Sequence, residues 1–143
     1  MVGDLNLRLH EIQPQTISRR ILIVDDETFN QVDLQNSAAS LPQFQGIQRL
    51  IDVSVSGEQA LALATEGLQR MKRFTYCLVF LDLTMRPKDG YWVSEELRRL
   101  YKGHQQPRII AWSSNADDSA INKAWRYEFD EFVHKPISSI VLN

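Results

Sequence analysis

The sequence predicts one α/β domain built on an open parallel sheet with helices packed on both faces. Three observations carry this. Short apolar runs alternate with longer amphipathic stretches along most of the chain. The runs are three to six residues long and bounded by polar or turn residues, as strands are. Three of them are apolar throughout instead of alternating, which marks strands covered on both faces. A length of 143 residues with 43% apolar side chains suits a single domain with a sizeable core.

The elements follow in order. The first strand is expected at 21–24. A weak helix follows over 27–40, because Phe29 and Val32 share one face while Leu34 and Ala38 fall on another, and Leu41-Pro42 ends it. A second strand is expected at 50–55. The stretch 57–70 then sets Ala60, Leu61, Ala64 and Leu68 on one helical face. After a third strand at 77–81, residues 92–101 place Val93, Leu97, Leu100 and Tyr101 together. A fourth strand at 109–112 precedes a helix over 116–127. That helix groups Ala120, Ile121, Ala124 and Trp125 and has two acids in its first turn, where the helix dipole favours them. A fifth strand is expected at 131–133. Strict β-α alternation argues for a parallel sheet with right-handed crossovers. Residues 1–19 are read as an N-terminal extension or linker and 20–143 as the domain.

Composition narrows the function. A net charge of −2 gives no field for nucleic acid, so no direct nucleic-acid partner is expected. No apolar run approaches the ~20 residues of a membrane span, and the N-terminus lacks a basic region followed by an apolar one. The single Cys77 excludes an intrachain disulfide and fits packing in a reduced, cytoplasmic setting. His10, His104 and His134 lack ligand spacing and are read as surface residues. Trp112 and Trp125 are read as core or half-buried anchors. The basic clusters at 70–73 and 98–102 are read as solvated helix ends.

The chemistry lies at the strand ends. Ligands of such sheets bind beyond the carboxyl ends of the strands. The first strand ends in Asp25-Asp26, the third in Asp82, the fourth in Ser113, and the fifth runs into Lys135-Pro136. Parallel strands bring all four ends to one edge. Three carboxylates there repel one another unless a cation sits among them, and Mg²⁺, a hard ion preferring oxygen ligands, is the natural occupant. A carboxylate beside Mg²⁺, with Lys and Ser able to bind oxygens, makes a phosphoryl-acceptor site.

The segments ILIVDDE, LVFLDLTM with Asp89-Gly90 behind it, IIAWSS and FVHKP, in this order, resemble the receiver domain of two-component response regulators. The resemblance spans residues 20–136. It implies a flavodoxin-like fold, a doubly wound five-stranded parallel sheet in the order 2-1-3-4-5. It also implies phosphoryl transfer from a phosphohistidine on a histidine kinase or histidine phosphotransfer protein. Carried over by position, Asp82 is similar to the phosphoacceptor, Asp26 to a direct Mg²⁺ ligand, Asp25 to a ligand through water, and the Thr84 carbonyl to another ligand. Ser113 and Lys135 correspond to the groups that contact the phosphoryl oxygens. Phe132 corresponds to the aromatic that turns inward on activation. The neighbourhood of Glu27 to Asn30 is similar to receivers attached to hybrid histidine kinases. The domain is then a signalling module, with weak self-hydrolysis as its nearest approach to enzyme activity.

The departures from the family pattern are specific. The proline that follows the acceptor loop's methionine comes one place late, in Met85-Arg86-Pro87. Glu128 stands where glycine is usual after the fourth helix, at a cost of roughly 1 kcal/mol in a left-handed turn. The fifth helix of the family is truncated to residues 137–143. Cover for the exposed face is expected either from a helix over residues 4–13 or from a homodimer. Two other readings stay open. A haloacid-dehalogenase-type phosphatase also uses a strand-end Asp with Mg²⁺, but has a second Asp two residues on, where this chain has Thr84. A degenerate receiver that binds without being phosphorylated is the other.

Overall fold

The computed structural model describes residues 18–70 and 73–135. Five strands, β1 (Ser18–Val24), β2 (Ile51–Ser54), β3 (Phe74–Asp82), β4 (Arg108–Ser113) and β5 (Glu131–His134), form one sheet in the order β2-β1-β3-β4-β5. Every pairing is parallel. Four α-helices connect them among the described residues: α1 (Thr28–Ala39), α2 (Gly57–Gln69), α3 (Gly90–Leu100) and α4 (Asp118–Arg126). This is the parallel sheet the alternation predicts, in the doubly wound, flavodoxin-like order the resemblance implies. The helix expected over residues 4–13, the truncated fifth helix and the dimer argued from it fall outside the described residues.

The apolar strands are continuous because both faces of the sheet are buried. Leu22, Val24, Val79, Leu81, Ile109 and Ala111 pack under α2 and α3 with Ala60, Ala64, Val93 and Leu97. Their sequence neighbours Ile21, Leu78 and Ile110 point the other way, to Phe44 and Ile47, while Ile23 and Trp112 meet Leu34 of α1. Each such fully buried aliphatic side chain contributes roughly 1.5–3 kcal/mol. Three helices start on side-chain caps. Ser56 Oγ accepts from the Gln59 amide at 3.1 Å, Asp89 Oδ1 from Trp92 at 3.0 Å and Asp117 Oδ1 from Ala120 at 2.8 Å. Each cap stabilises its helix by about 1 kcal/mol.

Of the two apolar faces the sequence offers in helix α1, the structure buries the one with Leu34. The helix has no side-chain cap, and Phe29 is 77% exposed, with Val32 also outward. Leu34 and Gln31 are the buried pair instead. Gln31 Nε2 donates to the Asp25 carbonyl at 2.8 Å and to the Ser54 carbonyl at 3.0 Å. The polar side chain thus ties α1 to the ends of β1 and β2, which hydrophobic periodicity cannot reveal.

Two expectations change. Arg98 is not a solvated helix end. It donates to the Pro107 carbonyl, the Gln106 side chain, the Glu128 carbonyl and Asp130, so it clamps α3 to the α4–β5 turn. Trp125 is half exposed and anchors little. Glu128 does take the left-handed conformation, with φ 63°. The Arg98 bond to its carbonyl helps hold that turn. His104 and His134 lie at the surface, as expected.

Towards the amino ends of the strands, β1 and β3 slip register between Arg20 and Ile21, which leaves Cys77 as the extra residue of a bulge. Cys77 is buried there, in keeping with a packing role. Beside it, Arg20 pairs with both oxygens of Asp52 at 2.8 and 2.9 Å, and Tyr76 Oη donates to Asp52 at 2.7 Å.

Candidate functional site

The parallel sheet carries its polar strand ends to one edge. Asp25 and Asp26 follow the last residue of β1, Asp82 is the last of β3, Ser113 the last of β4, and Lys135 follows β5. One carboxylate oxygen from each of Asp25, Asp26 and Asp82 lies within 4.8 Å of the others. Asp25 and Asp82 are buried, whereas Asp26 is exposed at the mouth.

Asp25 is held by three donors. Its Oδ1 accepts from the Glu27 amide at 2.9 Å, and its Oδ2 accepts from Lys135 Nζ at 2.6 Å and from Trp112 Nε1 at 2.8 Å. Asp82 is engaged through one oxygen. Its Oδ1 accepts from the Thr84 amide at 3.1 Å and the Thr84 hydroxyl at 3.3 Å, with Lys135 Nζ at 3.4 Å. Burial, and then the charge of Asp25 beside it, push the Asp82 carboxyl above its ordinary range, while Lys135 opposes that shift. Ser113 is buried, and its Oγ accepts from the Asn115 amide at 3.1 Å. The Lys135 amide donates to the Ser113 carbonyl at 2.9 Å, which straps the exits of β4 and β5 together.

The loop after Asp82 is positioned by Gly90. A Cβ at Gly90 would lie 2.2 Å from the Asp82 carbonyl oxygen, so only glycine lets the start of α3 sit against the end of β3. The Arg86–Pro87 peptide in this loop is cis. Phe132 is half-buried and packs against the cluster under α2 and α3.

The structure therefore brings together Asp25, Asp26, Asp82, Ser113 and Lys135, with Thr84 bonded to Asp82. The donor set is all oxygen, and among the described residues Lys135 is the ammonium bonded within the three carboxylates, which suits a hard divalent cation. Sequence reasoning missed two site groups. Trp112 bonds a residue 87 positions away and Gln31 grips two strand-end carbonyls, and neither leaves a local signal.

Comparison with known proteins agrees with this geometry. The family model for the response regulator receiver domain matches residues 21–143. The chain belongs to that family and is a receiver domain of two-component phosphorelay signalling, a phosphoacceptor module and not a conventional enzyme. It is 30% identical over 129 residues to hybrid signal transduction histidine kinase L of Dictyostelium discoideum, covering 89% of this chain and 7% of that protein. It is 25% identical over 130 residues to histidine kinase CKI1 of Arabidopsis thaliana, covering 85% of this chain and 11% of that protein. The chain thus spans a small part of either relative. The crystal structure of the CKI1 receiver domain complexed with Mg²⁺ and BeF₃⁻ superposes with a TM-score of 0.68 at 25% identity, over 87% of this chain and 85% of that one. The CheX–CheY–BeF₃–Mg²⁺ complex of Borrelia burgdorferi shares the fold, with a TM-score of 0.67 at 22% identity over 88% of this chain and 85% of that one. Among the described residues, no helix is long and apolar enough to cross a membrane.

Proposed function

We propose that Asp82 is the phosphoacceptor and that the donor is a phosphohistidine on a histidine kinase or histidine phosphotransfer protein met in the cytoplasm. One observation carries the assignment. Asp82 is buried at the end of the central strand with Oδ1 engaged by Thr84 and Lys135, while Oδ2 has no hydrogen bond among the described residues. Oδ2 is then the nucleophile. It attacks phosphorus, the P–O bond forms as the P–N bond breaks, and the electron pair of that bond returns to the imidazole nitrogen.

Asp25, Asp26, Asp82 and the Thr84 carbonyl are the groups that would hold Mg²⁺, which when bound offsets charge on the transferring phosphoryl group. Lys135 bonds Asp25 and already lies 3.4 Å from Asp82, within a short swing of a phosphoryl oxygen there. The Ser113 hydroxyl, on the neighbouring strand end, supplies a second donor. Phe132 is the residue whose inward turn would carry the change outward through β5. Hydrolysis of the acyl phosphate would be slow. A phosphatase of the haloacid-dehalogenase type needs an acid where Thr84 stands, and the Thr84 hydroxyl instead donates to Asp82 Oδ1 at 3.3 Å.

Incubation with radiolabelled acetyl phosphate and Mg²⁺ tests the assignment. The wild type takes up label that hydroxylamine releases, and Asp82→Asn takes up none while keeping its circular dichroism. Undiminished labelling of Asp82→Asn would remove Asp82 from the role. Sustained release of phosphate from p-nitrophenyl phosphate would favour the phosphatase.

A further inference from the structure

We infer that Trp112 is a positioning residue of the phosphoacceptor site, fixing the orientation of Asp25 and the resting place of Lys135. The inference rests on the reading of the site given above. Trp112 is fully buried in β4, in register with Asp82 on one side and Val133 on the other. Its ring packs on the α1 face of the sheet beside Ile23 and Leu34, edge-on to Phe80 with centroids 6.5 Å apart. From β4 it reaches past β3 to β1, where Nε1 donates to Asp25 Oδ2 at 2.8 Å.

The contact is closed by a third group. Lys135 Nζ lies 5.1 Å from the Trp112 ring centroid and donates to the same Asp25 Oδ2 at 2.6 Å. Carboxylate, indole and ammonium form a triangle in which each member touches the other two. The chemistry of each explains why the indole sets the geometry. Lysine carries three donors on a flexible stem and imposes no direction on a carboxylate. Indole has one donor, no acceptor and a rigid ring, so when buried it selects one oxygen and one approach. Asp25 has no exposed surface, so its orientation is set by these protein donors. The ring face also gives the ammonium a place to rest beside Asp82. Core packing alone would be served as well by a large aliphatic side chain, which would make neither contact.

Groups that orient a metal ligand from behind typically alter metal affinity by about 10- to 100-fold. Trp112→Phe keeps an aromatic ring in the core while deleting the donor, at the cost of some buried volume. We expect its Mg²⁺ affinity, measured by calorimetry, and its labelling rate by acetyl phosphate each to fall about tenfold. Trp112→Leu, which also loses the ring face, should label more slowly still. A purely structural role predicts a lower thermal midpoint for both with unchanged Mg²⁺ affinity, and that result would overturn the inference. A measurement on the wild type stands if either variant fails to fold. The chain has three tryptophans, and Trp92→Phe and Trp125→Phe assign their indole N–H resonances. On Mg²⁺ addition the remaining indole resonance should shift most, and an unmoved one would refute the proposal. If the wild type neither binds Mg²⁺ nor labels, the reading of the site itself fails, which is distinct from a wild type that does both and a Trp112→Phe that matches it.

Discussion

Gly90→Ala is a direct test of how the acceptor loop is held. The new Cβ would meet the Asp82 carbonyl oxygen at 2.2 Å, the Leu83 Cα at 2.9 Å and the Asp82 carbonyl carbon at 3.0 Å. All three are backbone atoms, so no side-chain rotation relieves the clash. Reaching ordinary contact at 3.4 Å requires α3 or the end of β3 to move by about 1.2 Å. Overpacking of this kind costs about 1–3 kcal/mol. Alanine recovers about 0.4–1 kcal/mol by restricting the unfolded chain. A net loss of about 1–2 kcal/mol should lower the thermal midpoint by roughly 3–8 °C for a domain of this size. The effect on chemistry should be larger, because misplacing a reacting group by about 1 Å costs on the order of 100-fold in rate. Gly67→Ala is the control. Its Cβ would strike the Phe74 ring at 2.5 Å, at the far end of β3. It should destabilise without slowing acetyl phosphate labelling at saturating Mg²⁺. If Gly90→Ala labels as fast as Gly67→Ala, the argument that Gly90 seats Asp82 is wrong.

Other perturbations follow from the same geometry. Burial raises the Asp52 carboxyl, but the bonds from Arg20 and Tyr76 outweigh it and leave the group below its ordinary value. Its ionised form therefore stabilises the fold above the unfolded carboxylate range, and that stability is lost as pH falls through the depressed folded value. Asp52→Asn should cost about 1–2 kcal/mol at neutral pH by urea unfolding, with the gap to wild type closing in acid; a gap independent of pH would contradict this. Gln31→Leu leaves the Asp25 carbonyl without its side-chain donor and should cost about 1–3 kcal/mol, read from the urea midpoint. A loss under 0.5 kcal/mol, typical of a neutral surface change, would show that the buried amide does not tie α1 to the sheet. Asp26→Ala should weaken Mg²⁺ binding in calorimetry and, by relieving repulsion on Asp82, should not lower the thermal midpoint in chelator. Equal Mg²⁺ affinity would remove Asp26 from the ligand set.

Much of this was legible in the sequence because the relevant physics is local. The apolar runs around Val24, Leu81 and Ala111 fix the strands, and the polar residue that ends each run fixes the site's edge. Caps set the starts of three helices, which apolar spacing alone does not locate. Asp117 is the cap of α4, so the helix starts two residues later than its acids alone suggest, and Asp89 starts α3 at Gly90, ahead of the first bulky residue. Strand β3 runs back to Phe74 because Thr75 and Tyr76, polar by composition, are buried against neighbours distant in sequence. The same limit hid Gln31, Trp112 and the Arg98 clamp, whose partners are set by topology and not by spacing. In α1 the periodic signal offered two apolar faces without choosing between them, and the structure buries the one with Leu34 and leaves Phe29 and Val32 outward.

The strand order has a consequence for how this protein comes into being. Lys135 and Asp25 are 110 positions apart, at nearly the two ends of the described chain, and they meet only after β5 has docked beside β4. A chain emerging from the ribosome carries Asp25, Asp26 and Asp82 long before it carries the ammonium that sits among them. The site is thus complete only when the edge strand β5 is in place beside β4. A domain lacking β5 would hold the three carboxylates without Lys135, and so without the ammonium that bonds Asp25 and stands 3.4 Å from Asp82.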